Sequence, residues 1–357
     1  MQKSRTFIHI GLVISVLAII VAIFGIIGFG KIWKHLVTVG WDGFVIYFLV
    51  TLASLSLTGL SWWISLRAYK IHISLFRTAI AHLIAFGINL FIPSMYVGGE
   101  PFRAYYIGKI YNISKNKVLG TALFAKFVEL IVLVLFIYYG TIILVTQPES
   151  EQIISPTLSM ILIIIDIIIG TVLAGILWGT FRNLQVLTHL FTFIRKFNIC
   201  TNFLDKTIPK TRQMEEINSL VFRHNWRAGF LVMLSCIISV GITFVKPALL
   251  FYFLIGKSRL LTIQELAFIF IVTQILLSIH LTPAGLGFVE GGNLLFFSYI
   301  NITSDIAAAY LIISRLVDFL IAGGGCYLMI HYSLMNIGKD KIGNADDIHK
   351  EMENTDD

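Results

Sequence analysis

Phe91-Ile-Pro-Ser-Met-Tyr-Val-Gly-Gly-Glu100 and Leu281-Thr-Pro-Ala-Gly-Leu-Gly-Phe-Val-Glu290 are two apolar stretches, each with a proline, a glycine turn and an acid. Pro93 precedes Glu100 by seven residues, and Pro283 precedes Glu290 by seven. About 25 residues beyond each acid an apolar run carries a charge pair, Lys126-Phe-Val-Glu129 after the first and Arg315-Leu-Val-Asp318 after the second. A spacing repeated over both intervals marks a duplicated unit. Helix breakers and charges are costly in hydrocarbon, so two corresponding copies point to a transport-type site near the bilayer midplane.

The surrounding chain of 357 residues is 57% hydrophobic and 13% charged. Its mean hydropathy of +0.85 lies well outside the range of soluble domains. Runs near or above the roughly 20 apolar residues of a bilayer crossing are Phe7 to Gly30, Gly43 to Tyr69, Val118 to Thr146, Leu158 to Phe181, Gly229 to Ile255 and Ile306 to Met335. Two hydrophobic regions remain, about 79–109 and 263–300, and the opening motifs break each of them. The first limb of one, Ala79 to Ile92, is too short to cross; that of the other, Ile263 to Thr282, is only just long enough. Both read as re-entrant helix-turn-helix hairpins, because irregular backbone at membrane depth needs protein or trapped water around it.

Charge placement orients this layout. With the N-terminus in the cytoplasm, Lys3, Arg5, Arg67, Lys70, Arg77, Arg103, Lys109, Lys115, Lys117, the basic residues of loop 182–228, Lys339, Lys341 and Lys350 fall inside. Lys31, Lys34, Lys257 and Arg259 fall outside, and the Pro148 to Pro156 loop carries acids but no base, as the positive-inside rule requires. Three crossings per half then invert the second half relative to the first. The expected fold is an all-α polytopic membrane protein with six full spans and two re-entrant hairpins in an inverted-topology repeat. Its parts are a first repeat (1–146) with a cytoplasmic-side hairpin, an external loop (147–157), a second repeat (158–335) with an external-side hairpin, and a disordered cytoplasmic tail (336–357). Both termini are expected in the cytoplasm of a multi-pass cell-membrane protein. The net charge of +7 reflects orientation and anionic-lipid contact, not nucleic acid.

Each glycine turn opens a helix within the membrane, with Pro101 suited to a first turn and Glu100 near the cap. Two such positive ends facing one cavity favour an anion, and a lipid phosphate is the natural candidate. The headgroup residues expected are therefore Gly98, Gly99, Glu100 and Arg103 from the first copy and Gly285, Gly287 and Glu290 from the second, with Pro93 and Pro283 as hairpin turns. Arg103 reads equally as a phosphate fork or as a snorkelling arginine at the cytoplasmic boundary. Lys126 with Glu129, and Arg315 with Asp318, share helix faces at i,i+3. They read as structural bridges between hairpin and helix, with Glu100 and Glu290 each facing one of the two bases, or as gating pairs that exchange partners as the halves rock. The readings are compatible.

The remaining polar residues carry weaker signals. Asp166 is a lone acid in an aliphatic run, better read as hydrogen-bonded against a neighbouring helix than as a coupling site. Lys246-Pro247 predicts a kink, and His82 and His280 read as hydrogen-bonded rather than as ligands. Cys200, Cys236 and Cys326 lack paired spacing, so neither metal nor cofactor is expected. Asn183 to Phe197 reads as an interfacial amphipathic helix. Asn112-Ile-Ser114 and Asn301-Ile-Thr303 match the glycosylation sequon, weakly.

Through Val97-Gly-Gly-Glu-Pro-Phe-Arg-Ala104, Pro283-Ala-Gly-Leu-Gly-Phe-Val-Glu-Gly291 and Ser314-Arg-Leu-Val-Asp318, the chain resembles the flippase-like lysylphosphatidylglycerol synthase transmembrane region. The resemblance implies a domain that translocates aminoacylated phosphatidylglycerol after a separate cytosolic domain has charged it. This sequence ends at residue 357 without a soluble domain of that size, so lysyl transfer is not expected of it. The leading expectation is a lipid flippase or transporter that moves an anionic or zwitterionic lipid between leaflets by alternating access; its partners are membrane lipids, anionic phospholipid above all. The alternative is an enzyme, or the membrane subunit of a separately encoded lipid-modifying enzyme, in phosphatidylglycerol aminoacylation, a hopanoid pathway or a lipid-linked glycan pathway. In that reading Glu100 or Glu290 is the general acid or base. An ion-coupled solute carrier is the third.

Overall fold

A computed structural model of the chain describes residues 29–91, 98–146, 155–182, 184–196, a few positions within 205–212, then 225–256, 259–278, 285 and 287–353, with side chains described as far as 331. The first expected span, Phe7 to Gly30, therefore falls almost wholly outside the described residues, as do Pro93, Pro283 and His280.

The described residues are helical throughout, in the order α1 (Phe29–Ala68), α2 (Leu75–Phe91), α3 (Glu100–Ile110), α4 (Lys115–Val145), α5 (Pro156–Arg182), α6 (Val186–Arg195), α7 (Trp226–Ile255), α8 (Ile263–Ser278), α9 (Phe288–Phe297) and α10 (Ser304–Glu353). Among the described residues, four stretches are long and apolar enough to cross a membrane: Ile32–Ala68, Lys115–Val145, Trp226–Ile255 and Ser304–His331. The expected Leu158 to Phe181 span lies within the 27 residues of α5. At about 1.5 Å per residue, the 11 residues of α3 and the 10 of α9 fall well short of a hydrocarbon layer roughly 30 Å thick.

Three boundaries differ from the sequence reading. The expected external segment before Gly43 is helical from Phe29, with a break at Gly40, whose φ of 62° lies outside the helical region. Glycine reaches this conformation without steric cost, so the helix restarts on a new course instead of ending. The first hairpin limb begins at Leu75, four residues before the sequence placed it. The last helix runs on to Glu353, through residues expected to be unstructured, because extending a formed helix avoids the nucleation step that dominates its cost.

The tertiary pattern is reciprocal. The most extensive helix contact joins α1 to α7; α2 packs on α10 while α8 packs on α4, so each hairpin's first limb rests on the final helix of the other half. Likewise α4 meets α7 and α10 meets α1. At the α1–α7 crossing the Ser54 hydroxyl donates to the Ser239 carbonyl at 3.1 Å, and the Ser239 hydroxyl donates to the Ser54 carbonyl at 2.9 Å. Each residue does to the other what the other does to it, which places a local two-fold relation between these helices. The α2–α10 contact is close enough that a Cβ at Gly87 would lie 2.8 Å from the Ala322 carbonyl oxygen, and one at Gly325 would strike the Leu83 carbonyl.

The turns correspond as well. Asn112 and Asn301 follow the second limbs of their hairpins with φ of 50° and 55°, and Ser114 and Thr303 accept the first amide bonds of α4 and α10. Here the two Asn-Ile-Ser/Thr sequences are left-handed helix ends followed by helix starts.

Candidate functional site

The first hairpin closes by threading α3 tightly under α2. A Cβ on Gly99 would lie 2.8 Å from the Ala85 carbonyl carbon and still nearer its oxygen, so backbone meets backbone at this position. The Gly99 amide donates to the Asn89 side-chain oxygen at 2.6 Å, and Gly98 lies half-buried beside it. With Gly99 as cap, Glu100 and Pro101 open α3, as the sequence suggested.

This turn delivers Glu100 and Arg103, 3% and 2% exposed, into the protein, where they form an ion pair. Arginine only donates, so when Arg103 Nη1 meets His82 Nδ1 at 3.0 Å the ring must accept there. His82 Nε2 then donates to the Thr58 hydroxyl at 2.9 Å, which in turn donates a hydrogen bond to the Leu55 carbonyl at 2.8 Å. Arg103 Nη2 donates to the Ala122 carbonyl at 3.2 Å, and the guanidinium lies 4.3 Å from the Trp62 ring centroid. Snorkelling is thus overturned: the side chain points inward and is held by four elements of the first half. Lys126 and Glu129 bond each other at 3.0 and 3.1 Å and lie within Coulombic reach of Glu100.

The second hairpin reaches a similar end by different chemistry. Gly285 and Gly287 take φ of 64° and 81°, a sharp left-handed turn that side chains resist. The Gly287 amide donates to Glu290 Oε2 at 2.6 Å, so the acid caps its own helix, while Arg315 Nε donates to Glu290 Oε1 at 2.5 Å. The sequence put Arg315 on one face with Asp318 and opposite one of the two hairpin acids; its bond goes to Glu290, tying α9 to α10. Asp318 lies within Coulombic reach of Lys246, Arg315 and Glu290, and Lys246 Nζ sits 5.4 Å from the centroid of the buried Tyr47 ring. The Tyr47 hydroxyl neighbours Ser314 and Tyr310. Three residues past the acid, where the first copy has Arg103, stands Asn293, which accepts a hydrogen bond from Thr273 of the first limb at 3.0 Å.

These contacts make two charged clusters, each of two acids and two bases: Glu100, Arg103, Lys126 and Glu129 in one, and Glu290, Arg315, Asp318 and Lys246 in the other. Balanced charge is what low dielectric tolerates. The charges acting on Glu100 are Arg103, Lys126 and Glu129, while Glu290 bonds Arg315 and acts on Asp318, so each acid belongs to its own cluster. Trp62, Tyr47 and Asn89 belong to the site and gave no sequence signal above ordinary span residues. Lys246 did give one, a base in mid-span, and registering Arg103 against the second copy would have found Asn293. Asp166 is buried beside Thr141, with one carboxylate oxygen unbonded.

Two curated relatives, both UPF0104 membrane proteins, are similar over most of their length. One, from Methanocaldococcus jannaschii, is 24% identical over 312 residues, covering 87% of this chain and 90% of the relative. The other, from Methanothermobacter thermautotrophicus, is 26% identical over 277 residues, covering 74% and 78%. No solved structure matches the chain. Residues 8–324 match the lysylphosphatidylglycerol synthase TM region, and on that extent the chain belongs to this family of multi-pass membrane proteins.

Proposed function

We propose that the chain is a lipid flippase or transporter of the cell membrane, moving a phospholipid between leaflets by alternating access, with both termini in the cytoplasm. The observation that carries this reading is the reciprocal docking of the two hairpins, each with its first limb on the other half's last helix. That is the packing expected of six spans and two re-entrant hairpins in an inverted repeat, and such repeats rock one half against the other around a central site. Short helices that start inside apolar surroundings and bring buried charges there are otherwise hard to justify energetically. The family's name ties its members to lipid chemistry.

Orientation has its own support. Four cation–aromatic stacks, Arg67 on Trp63, Lys115 on Tyr105, Arg182 on Trp178 and Arg227 on Trp226, all sit at helix ends that the charge count places in the cytoplasm. Basic and aromatic side chains together favour the headgroup layer of an anionic leaflet.

The test is reconstitution of purified protein into liposomes with a trace of fluorescent phospholipid, followed by dithionite quenching of the outer leaflet. The wild type is expected to expose inner-leaflet probe, and Glu290→Gln and Arg315→Gln to lose this activity while eluting as the wild type does. Equal quenching in protein-containing and protein-free liposomes would remove the proposal.

A further inference from the structure

The two clusters balance charge alike but differ in how fully their bases are used. Arg103 meets Glu100, His82, the Ala122 carbonyl and the Trp62 face, and only its Nε is buried without a partner. Arg315 spends Nε on Glu290, while its Nη2 is buried without a hydrogen-bond partner. Lys246 faces the Tyr47 ring and makes no hydrogen bond or ion pair among the described residues. Asp318 feels both bases electrostatically yet is paired with neither. Opposite charges that attract one another in a poorly polarisable interior, and still do not bond among the described residues, leave donors and an acceptor for a ligand to meet.

Helix geometry places these groups between the halves. On α10 the exposed residues Leu316, Leu320 and Tyr327 share one face, and Asp318 lies two residues from both Leu316 and Leu320, about 200° round the helix. The largely buried Asp318 therefore faces inward, away from the lipid-facing side. On α7, Lys246 follows Ser239 by seven residues and Thr243 by three, so it shares the face that crosses α1 at Ser54.

We propose that Lys246, Arg315 and Asp318 form a seat for a headgroup that carries both a phosphate and a protonated amine. The phosphate lies between Lys246 Nζ and Arg315 Nη2, and the amine meets Asp318. The seat rests on the lipid-transport reading and refines its substrate. Glu290, Asp318, Arg315 and Lys246 already sum to zero formal charge, so a purely anionic headgroup leaves a net charge in low dielectric, whereas a zwitterion does not. Of the anionic and zwitterionic lipids expected from the sequence, this seat takes the zwitterion. Lys246 becomes a binding residue instead of a mere companion of the Pro247 kink.

The test measures equilibrium binding to the purified full chain in non-ionic detergent, using dihexanoyl phosphatidylethanolamine, dihexanoyl phosphatidylglycerol and soluble glycerophosphoethanolamine. Wild type is expected to bind the ethanolamine lipid about tenfold more tightly than the glycerol lipid, a modest ratio because desolvation offsets much of the attraction. Asp318→Asn should erase or invert that preference, and Lys246→Gln should weaken both lipids by about tenfold. If the glycerol lipid binds wild type as well as the ethanolamine lipid does, or Asp318→Asn keeps the preference, the seat is wrong while lipid transport stands. If glycerophosphoethanolamine competes as well as the lipid, the seat stands and the lipid reading falls. Binding of none of the three overturns both. Should Asp318→Asn fail to fold, unchanged affinities in Lys246→Gln overturn the seat alone.

Discussion

Glu290→Gln isolates the charge of the second hairpin's acid without changing its shape. The amide oxygen can still accept from the Gly287 amide, now 2.6 Å from the carboxylate, so the helix cap survives. What is lost is the 2.5 Å charge-assisted bond from Arg315, between side chains only 11% and 13% exposed. Removing one partner of such a buried pair costs about 3–5 kcal/mol, because the other charge stays behind uncompensated. Asp318 remains within Coulombic reach of Arg315 and offsets part of this, so the lower end, about 3 kcal/mol, is expected. Arg315→Gln should cost a similar amount, since Glu290 then keeps its charge with a single amide donor. The double variant places two amides where the ions stood and leaves no orphaned charge, so it should cost at least about 2 kcal/mol less than the sum of the two singles. Reversible unfolding in mixed dodecyl sulfate micelles, followed by tryptophan fluorescence, measures all three. The Lys126 and Glu129 side chains, 25% and 29% exposed, provide the contrast: breaking that i,i+3 pair should cost about 0.5 kcal/mol or less. Single-variant costs below about 1 kcal/mol that simply add would refute the claim that Glu290–Arg315 is a buried structural tie.

Gly99→Ala should destabilise by about 1–3 kcal/mol, because the new methyl meets the Ala85 backbone and cannot be relieved by a rotamer change. An unfolding midpoint equal to wild type would mean that α2 and α3 separate readily. Ser54→Ala and Ser239→Ala each remove one of two reciprocal side-chain donors at the α1–α7 crossing. Each should cost about 1 kcal/mol in the same unfolding assay, with a coupling of about 0.5 kcal/mol or more between them; strict additivity would argue against a shared contact.

Much of this arrangement was legible because the bilayer restricts what a sequence can do. Long apolar runs announce spans, and the turn motifs at Glu100 and Glu290 stand out only because their surroundings are so uniformly apolar. Glu290 beside Arg315, and Lys126 near Glu100, follow from the rule that buried charges find partners. Partner choice within a cluster was less legible. The i,i+3 spacing of Arg315 and Asp318 matches that of Lys126 and Glu129, yet only the latter two bond each other, because the capping geometry at Gly287 brings Glu290 to Arg315 first. The inward turn of Arg103 was also hidden: a cytoplasmic-boundary arginine and a buried one look alike until Trp62 and His82, from other helices, are placed around it. The helix through Phe29 to Val39 was hidden for the opposite reason, since charges at Lys31 and Lys34 and the glycine at 40 read together as a loop.

The two hairpins share a scaffold but not a division of labour. Arg103 and Asn293 each follow their acid by three residues, and each reaches back to the first limb of its own hairpin, to His82 in one case and Thr273 in the other. The fold therefore needs a polar brace at this position, and it does not need a charge there. The second base of each cluster is placed differently: in the first half it is this brace, whereas in the second it is Lys246, on the helix that crosses to the other half. Seven residues past the crossing serine, Ser61 stands on α1 where Lys246 stands on α7. Exchange between brace and crossing helix keeps both clusters neutral while moving one cation from a sealed position to the interface between the halves. A symmetric pair of hairpins thus yields one side whose second base is braced and one whose second base, Lys246, is unpaired among the described residues, which is the asymmetry required if a single headgroup is to be held while the scaffold around it moves.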